Sequence, residues 1–445
     1  MRAIILNTYS WLNKGDAAIV LGTVQAVRTV APGADIVVVS LTPELDRPHY
    51  AAENLDVVAG PFALFYAARG PAWARAARFA GAYLALLGAL LAGRLTRRPI
   101  PRRLPAGLRH LAQAIVEADV AISCGGGFWQ DSWGPGVLIH VAQVLAALVA
   151  GVPVVCLGQS VGPFRSPRLR ALVGQVLRRA HAVVIRESES LATIQTMRIA
   201  PERLHLGTDM AFALDREHPA RRVAAPRAGR LRVGVTARNW SFPHSLDRQA
   251  AQRHYEDALV EALKHLLAVH DAEIVFLPQV IGPGADDDRL VERRLAAQLQ
   301  CPERVQVLED NLAPSDLIRL IGGMDMLLAT RFHSAIFAML ARVPVVAIAY
   351  EHKTTGIMRR MDLGQWIVPI ETVSGPQLIE LIEALLAQRK MVVATLHARV
   401  AQERAQALAS AAICQRVARR PAPSLILPRR EREPGSSPGG EAGRA

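Results

Sequence analysis

Arg331 and His333 are the residues of this chain whose types and spacing most directly permit chemistry. They follow an apolar run, Met326–Ala329, that is typical of a buried strand, and they precede a second apolar run at 334–340 that is typical of a buried helix. The next strand is predicted at 343–349. A turn between such a strand and helix lies at the carboxyl edge of a parallel sheet, where open α/β folds bind ligands. A guanidinium and an imidazole in that turn can hold an anion and transfer a proton.

Other polar residues follow predicted strands and are expected at the same kind of edge. After the first strand, Asn13 and Gly15 belong to a turn in which the glycine allows close backbone approach. Asp16 in this turn is either only the N-terminal cap of the next helix or a carboxylate that orients or deprotonates a sugar hydroxyl. Arg238 and Lys353 follow two further strands and add cations. Several cations that converge on one sheet edge indicate a site for an anionic ligand.

Two glycine-containing turns add backbone and amide groups to the candidate site. Gly125, Gly126 and Gly127 form a predicted tight loop whose amides can face an anion or a sugar ring. Gln159 lies in a second turn that glycines flank on both sides. The first loop does not match G-x-G-x-x-G and lacks the acid of a dinucleotide site. Trp129, two residues after the last glycine of this loop, is expected either to stack on a sugar or to lie in the core.

Short β-branched runs alternate with helical segments along the chain, which predicts an α/β fold with parallel sheets. A second series of these units begins at 231, after a segment rich in Arg, Pro, Ala and Gly. We therefore expect two doubly wound Rossmann-like domains facing across a cleft, the architecture called GT-B-like. The predicted parts are an N-terminal domain at 1–217 with an apolar and basic insert at 62–106, a linker at 218–230, a C-terminal domain at 231–390, a closing helix at 391–419 and a disordered tail at 420–445.

Composition and charge narrow the class of protein. The 445 residues are 51% hydrophobic and 20% charged, which is ordinary for a soluble enzyme. The net charge of +13 suits nucleic acid, anionic lipid or an anionic substrate, but no zinc-finger spacing or aromatic-basic string is found, so nucleic acid is not expected. Four scattered cysteines and an N-terminus that enters a strand directly predict a cytoplasmic protein. The acidic run 286–288 is interpreted as a solvated loop and helix N-terminus, and no metal is predicted.

The sequence allows two interpretations of what covers the apolar stretch 79–93, either protein or lipid. Residues 79–93 carry no charge, and five arginines follow within ten residues. These fifteen residues are fewer than the ~20 that a helix needs to span a bilayer. The stretch is either a helix buried in the fold or under a partner, or an interfacial anchor through which 79–103 contacts the inner face of the cell membrane.

Taken together, these segments resemble the polysaccharide pyruvyl transferase family over most of the chain. The resemblance rests on the turn 13–16, the glycine loop 125–127, the turn 158–163, Arg238, the segment 330–333 and the segment 350–353. It implies a fold similar to GT-B glycosyltransferases, with the acceptor on the N-terminal domain and phosphoenolpyruvate on the C-terminal one. Such an enzyme forms a pyruvate ketal on a sugar of a surface polysaccharide or its lipid-linked precursor. By this resemblance Arg238, Arg331 and His333 bind phosphoenolpyruvate, and no cofactor is required.

The chemistry of that donor matches the residue types. Guanidinium groups bind carboxylate and phosphate in a planar, bidentate manner, so Arg238 and Arg331 are expected to neutralise the leaving group. His333 is expected to protonate the methylene carbon or the departing phosphate, and Asp16 to serve as base for the acceptor. Lys353 is a further candidate for charge neutralisation. The alternatives are a nucleotide-sugar glycosyltransferase or epimerase, in which Glu351 would hold ribose hydroxyls, and a non-catalytic protein of glycan assembly.

Overall fold

Two parallel β-sheets organise the chain. The structure is a computed structural model that describes residues 1–63, 71–96, 99–214, 229–282, 284 and 286–418, with the backbone alone at 72 and 135. The predicted linker at 218–230 lies outside the described residues except for its last two positions, and the predicted tail at 420–445 lies wholly outside them.

The first sheet has eight strands in the order β3-β2-β1-β4-β6-β7-β8, and β5 pairs with β6. Its strand pairs are all parallel. Every residue of β6 is buried, as expected for strands covered by helices on both faces. The strands are β1 Arg2–Leu6, β2 Asp35–Ser40, β3 Asp56–Ala59, β4 Val120–Ser123, β5 Gly126–Trp129, β6 Val154–Val161, β7 Ala182–Ile185 and β8 Leu204–Leu206.

Among the described residues, one helix of this half lies within the predicted insert and another begins at its last residue. The helices are α1 Lys14–Val30, α2 Pro43–Ala51, α3 Ala72–Thr96, α4 Ala106–Val116, α5 Val137–Ala150, α6 Pro167–Leu177 and α7 Glu189–Gln195. The charge-free stretch 79–93 lies in α3, which by length and composition alone could cross a membrane. However, Leu86, Ala89 and Leu90 of α3 are buried, so one face of the helix packs on the protein.

The second sheet has six parallel strands in the order β11-β10-β9-β12-β13-β14. This order reverses direction next to the first strand of the unit, as in doubly wound folds. The strands are β9 Arg232–Thr236, β10 Glu273–Phe276, β11 Val305–Val307, β12 Met326–Ala329, β13 Val345–Ala349 and β14 Ile367–Pro369; the helices are α8 Arg248–Val269, α9 Asp288–Leu299, α10 Pro314–Ile321, α11 Phe332–Ala341, α12 His352–Arg360, α13 Gly375–Ala387 and α14 Arg389–Ala418. The predicted α/β fold with two Rossmann-like units is confirmed.

The carboxyl edges of the two sheets meet at a cleft. The turn after β1 contacts the loop after β10: the backbone amide of Lys14 donates to Gln279 O at 2.9 Å, and that of Ile281 donates to Leu12 O at 3.0 Å. The closing helix α14 then returns to the first half, where Gln406 Nε2 donates to the carbonyl of Leu206 at 2.7 Å. These contacts bring residues that are distant in sequence to one cleft.

The glycine segment 125–127 differs from the prediction. Gly126 and Gly127 begin strand β5, which pairs with β6, so only the first glycine belongs to a loop. A run of glycines has no side chains that reveal whether its backbone continues a sheet, and the sequence therefore indicated a turn.

Candidate active site

A cavity of about 970 Å³ lies between the carboxyl edges of the two sheets. Its walls come from turns of both halves, as the position of such edges predicts. Of the residues expected at a site, the cavity is lined by Asn13, Gly15, Asp16, Gly126, Gly127, Arg238, Arg331, His333 and Lys353. The structure thus brings together candidates that are up to 340 positions apart in the chain.

His333, in the first turn of α11, faces a carboxylate of the first half. Its Nε2 lies 3.6 Å from Oδ2 of Asp209, an ion-pair distance that is longer than a hydrogen bond. Asp209 also accepts from Arg186 Nη1 at 2.7 Å and from the amide of Ala211 at 2.9 Å. Burial opposes ionisation of Asp209, but His333 and Arg186 nevertheless hold its pKa well below its usual range. A fixed carboxylate can orient the imidazole and stabilise its protonated form.

Gly15 provides the space that His333 occupies. A Cβ atom at Gly15 would overlap Nδ1 and Cγ of the imidazole ring. Gly15 lies at the start of α1, whose N-terminal cap is Asn13, since the Asn13 side chain accepts from the Gly15 amide at 3.1 Å. The interpretation of Asp16 as only a helix cap is therefore wrong, because Asn13 has that role.

Asp16 lies in the first turn of α1 and lines the cavity near His333, Lys353 and Arg186. Burial raises the pKa of its carboxyl, and the positive charges of His333, Lys353 and Arg186 partly oppose this rise. A carboxyl group with a raised pKa in a cleft is suited to accept a proton near neutral pH.

Arg331 is held by carboxylates of the acidic run. Its Nε lies 3.1 Å from both carboxylate oxygens of Asp288, and its Nη2 lies 2.5 Å from Oδ1 of Asp288 and 3.1 Å from Oδ1 of Asp286. The acidic run is therefore not simply a solvated loop: Asp288 is 1% exposed, and its burial is compensated by the guanidinium. Asp287, in contrast, caps α9 by accepting from the amide of Arg289, as expected for a helix N-terminus.

Arg238 packs against two aromatic rings that also contact each other. Its guanidinium carbon lies 4.9 Å from the ring centroid of Trp240 and 4.5 Å from that of Tyr350. Asp286 Oδ1 lies 3.6 Å from Nη2 of Arg238, so this exposed carboxylate stands between the guanidinium groups of Arg238 and Arg331. Two preorganised guanidinium groups around one carboxylate outline a position for an anion.

Lys353 completes the group of cations at the cavity. Its Nζ pairs with Oε2 of Glu351 at 2.6 Å and lies 5.6 Å from the ring centroid of Phe332. Although burial disfavours the charged form, Tyr350 and Glu351 raise the pKa of Lys353, so its charge is retained.

Gln159 and Gly125 do not line the cavity. Gln159 lies within β6 and is fully buried; its Nε2 donates to the carbonyls of Ser123 and Cys124, and its Oε1 accepts from Nε1 of Trp129 at 2.9 Å. The expected contact of Gln159 with a ligand is not available in this position, since β6 extends four residues beyond the predicted end of the strand. Trp129 is also fully buried and belongs to the core.

Two residues of the site escaped the sequence prediction. Arg186 lines the cavity directly after β7, and Asp209 follows the three-residue strand β8. The position of Arg186 after an apolar strand was a usable signal, but its neighbour Glu187 makes the pair look like ordinary surface charge. Both residues are at most 4% exposed, which is common for charged groups only when they are paired.

The fold and the cavity are those of a GT-B-like protein with arginines, a lysine and histidines at the cleft, and comparisons with known proteins identify the family. The family model "Polysaccharide pyruvyl transferase" matches residues 13–352. This chain belongs to that family. It is also 28% identical over 312 residues to the amylovoran biosynthesis protein AmsJ of Erwinia amylovora, covering 67% of this chain and 73% of AmsJ.

Solved structures show the same fold at low sequence identity. A putative UDP-N-acetylglucosamine 2-epimerase from Listeria monocytogenes has a TM-score of 0.56 and 13% identity, covering 89% of this chain and 90% of its own. HepE from Anabaena, in complex with UDP, has a TM-score of 0.52 and 14% identity, covering 94% of this chain and 98% of its own. At such identities the likeness concerns the fold alone.

Proposed function

We propose that this polysaccharide pyruvyl transferase takes pyruvate from phosphoenolpyruvate and places it as a ketal on one sugar of a cell-surface polysaccharide or its lipid-linked precursor. The observation that carries the proposal is the composition of the cavity wall. Three guanidinium groups, one lysine and three histidines, among them His333, line one cavity, and Asp16 lies among them. A donor with both a carboxylate and a phosphate suits this arrangement.

The donor is proposed to bind at Arg238 and Arg331. Asp286, which stands between their guanidinium groups, is 66% exposed on its side chain and can be displaced by an incoming anion. Asp288 stays buried beneath Arg331 and keeps the guanidinium in place. Stacking on Trp240 and Tyr350 restricts Arg238 in a similar manner, so little side-chain freedom remains to be lost on binding.

In the proposed reaction the sugar hydroxyls lose two protons, and the methylene carbon and the phosphate gain two. His333 protonates the methylene carbon of phosphoenolpyruvate, and positive charge develops on the neighbouring carbon, to which the first sugar hydroxyl adds. The carbon–phosphate oxygen bond then breaks, and the second hydroxyl of the same sugar closes the ketal. The two hydroxyls lose two protons in total, one replacing the proton given to carbon and one leaving on phosphate. His333 and Asp16 are the groups proposed to move them.

The negative charge that gathers on the departing phosphate is proposed to be stabilised by Arg238 and Arg331, with Lys353 and Arg186 nearby. This chemistry requires no other cofactor. Gly126 and Gly127 line the same cavity and are proposed to face the acceptor sugar. The relative AmsJ is named for amylovoran biosynthesis, which supports a polysaccharide as the product. We propose a cytoplasmic enzyme that contacts the inner face of the cell membrane through 79–103.

Ligand-dependent thermal stability tests the donor. Purified protein is expected to melt at a higher temperature with phosphoenolpyruvate, and Arg238→Gln is expected to remove that shift. The control variant is His205→Gln, which is expected to keep the shift because His205 does not line the cavity. The same variant is the control for His333→Gln in the product assay. Stabilisation by a UDP-sugar without any response to phosphoenolpyruvate would overturn the proposal in favour of a nucleotide-sugar enzyme.

Product analysis tests the reaction. Incubation with phosphoenolpyruvate and lipid-linked saccharides is expected to release phosphate and to add the mass of one pyruvate less one water to the saccharide. His333→Gln is expected to lower this rate by about 10²- to 10⁴-fold, as for loss of a general acid. Equal product from wild type and His333→Gln would contradict the assigned role.

A further inference from the structure

The positive charge of this protein is concentrated around α3. Residues 57–116 contain nine arginines and not one aspartate or glutamate, whereas the whole chain has 39 acidic residues. Arg102 and Arg103, between α3 and α4, are exposed. None of the described residues of this segment lines the cavity, so the catalytic proposal does not explain its charge.

The outer face of α3 is apolar and exposed. Trp73, Leu84, Leu91 and Leu95 are 75%, 67%, 46% and 65% exposed. Their spacings of eleven, seven and four residues place them on one face of a helix. An exposed apolar stripe that is flanked by arginines is typical of a helix that lies in a lipid interface.

We infer that α3 rests on an anionic membrane surface, with its apolar stripe among the acyl chains and the surrounding arginines on the headgroups. A second copy of this chain would bring two segments rich in arginine and free of acidic residues together, which like-charge repulsion disfavours. A bilayer rich in anionic lipid instead complements the charge, with each arginine contributing about fivefold in affinity.

Contacts of α3 with the protein explain why the helix lies on the membrane rather than across it. The hydroxyl of Tyr83 donates to the carbonyl of Ala142 at 2.7 Å, and Leu86 and Leu90 are fully buried on the inner face. If α3 crossed the bilayer, the residues that it contacts, including those of α5, would also have to enter the lipid. A helix held by one face exposes only the other.

The direction of α3 links the membrane to the cavity. Tyr83 bonds to Ala142, and Arg94 Nη1 lies 3.4 Å from the carbonyl of Leu148, so α3 and α5 run in the same direction. The segment before α5 contains Trp133, which lines the cavity. The Trp73 end of α3 is therefore the end on the cavity side. Resting on the proposed function, this arrangement presents the cavity to saccharides carried by membrane lipids.

Vesicle flotation of the full chain tests the inference. Binding is expected to vesicles of phosphatidylcholine with phosphatidylglycerol, to weaken in high salt and to be lower by about tenfold or more on phosphatidylcholine alone. Leu84→Glu with Leu91→Glu is expected to lower partitioning by at least about tenfold. The control, Val269→Glu with Met391→Glu, makes the same charge change at exposed apolar positions outside α3 and is expected to bind as wild type.

Trp73 reports how the helix lies. Brominated lipids are expected to quench part of the tryptophan fluorescence in wild type but not in Trp73→Phe. Failure of wild type to bind anionic vesicles, or a dimer in lipid-free sedimentation that the glutamate pair dissociates, would overturn the inference. The thermal shift with phosphoenolpyruvate is expected in all these variants, so its absence in wild type would count against the proposed function alone.

Discussion

At the scale of single residues, the position of His333 depends on a carboxylate that belongs to the other half of the molecule. Asp209 has a lowered pKa and is ionised at neutral pH, because His333 and Arg186 outweigh the cost of its burial. Asp209 does not line the cavity. In the proposed reaction Asp209 acts through the imidazole and is therefore a positioning residue.

Replacement of Asp209 by Asn tests this role. Asp209→Asn is expected to lower kcat by about 10²-fold or more with little change in KM for phosphoenolpyruvate, because the amide no longer stabilises the imidazolium. A lower kcat that comes with an equal rise in KM, or with a lower melting temperature, would mean that the effect is only structural.

Asp16 predicts a pH dependence of both rate and stability. Because burial raises its pKa, a base at this position loses activity as pH falls through the raised value. The ionised form is disfavoured in the folded state, so Asp16→Asn is expected to raise the free energy of unfolding at pH 7. This gain should vanish below the unfolded pKa of about 4, where both states are protonated. Urea unfolding at pH 7 and pH 3.5, with kcat profiles of both proteins, measures these effects.

At the scale of elements, strand ends determine which side chains meet. The apolar runs that form β1, β9, β12 and β13 were readable, and the turns after them supplied Asp16, Arg238, Arg331 and Lys353 to one cavity. Gln159 was misplaced because the polar end of β6 continues the strand instead of ending it. Asp209 follows a strand of three residues, too short to recognise from its sequence alone.

The start of α1 gives a prediction at this scale. Gly15→Ala is expected to keep the helix, since Ala favours helix more than Gly, but to displace His333 and lower kcat by about 10²-fold or more. Gly88→Ala in α3 is the control, because a Cβ there meets no atom within 4 Å. Equal activity of both variants in the pyruvyl transfer assay would show that His333 does not need the space at Gly15.

Pairing of buried charges is the part of the site that the sequence could not reveal. Arg331 and Asp288 lie 43 positions apart, and either alone looks like a surface residue. Only the tertiary structure shows that one neutralises the burial of the other. The positions of the cations could be predicted from the strand ends, but the carboxylates that pair with them could not.

At the scale of the whole molecule, α14 connects the second sheet to the first. It begins beside α13 and ends against α1, where Gln415 donates to the carbonyl of Val30 at 2.7 Å. The sequence predicted a long closing helix here. A helical pattern does not indicate which half of the molecule the helix packs against.

Two substitutions on α14 test whether it holds the halves together. Ala407→Glu places a charge at a fully buried position and is expected to lower the free energy of unfolding by about 3 kcal/mol or more. Ala409→Glu, two positions along on the exposed side, is expected to change it by less than about 0.5 kcal/mol. Urea unfolding with far-ultraviolet circular dichroism compares them, and equal midpoints would show that the helix contributes little.

The position of His333 between Gly15 and Asp209 determines what happens when the chain is divided into two polypeptides. The histidine is encoded in the second half, but the glycine that admits its ring and the carboxylate that faces it are encoded in the first. Two polypeptides divided between residues 214 and 229 would each be inert, and turnover would return only when they reassociate. The protein can therefore serve as a split reporter, in which catalysis measures the docking of one half on the other.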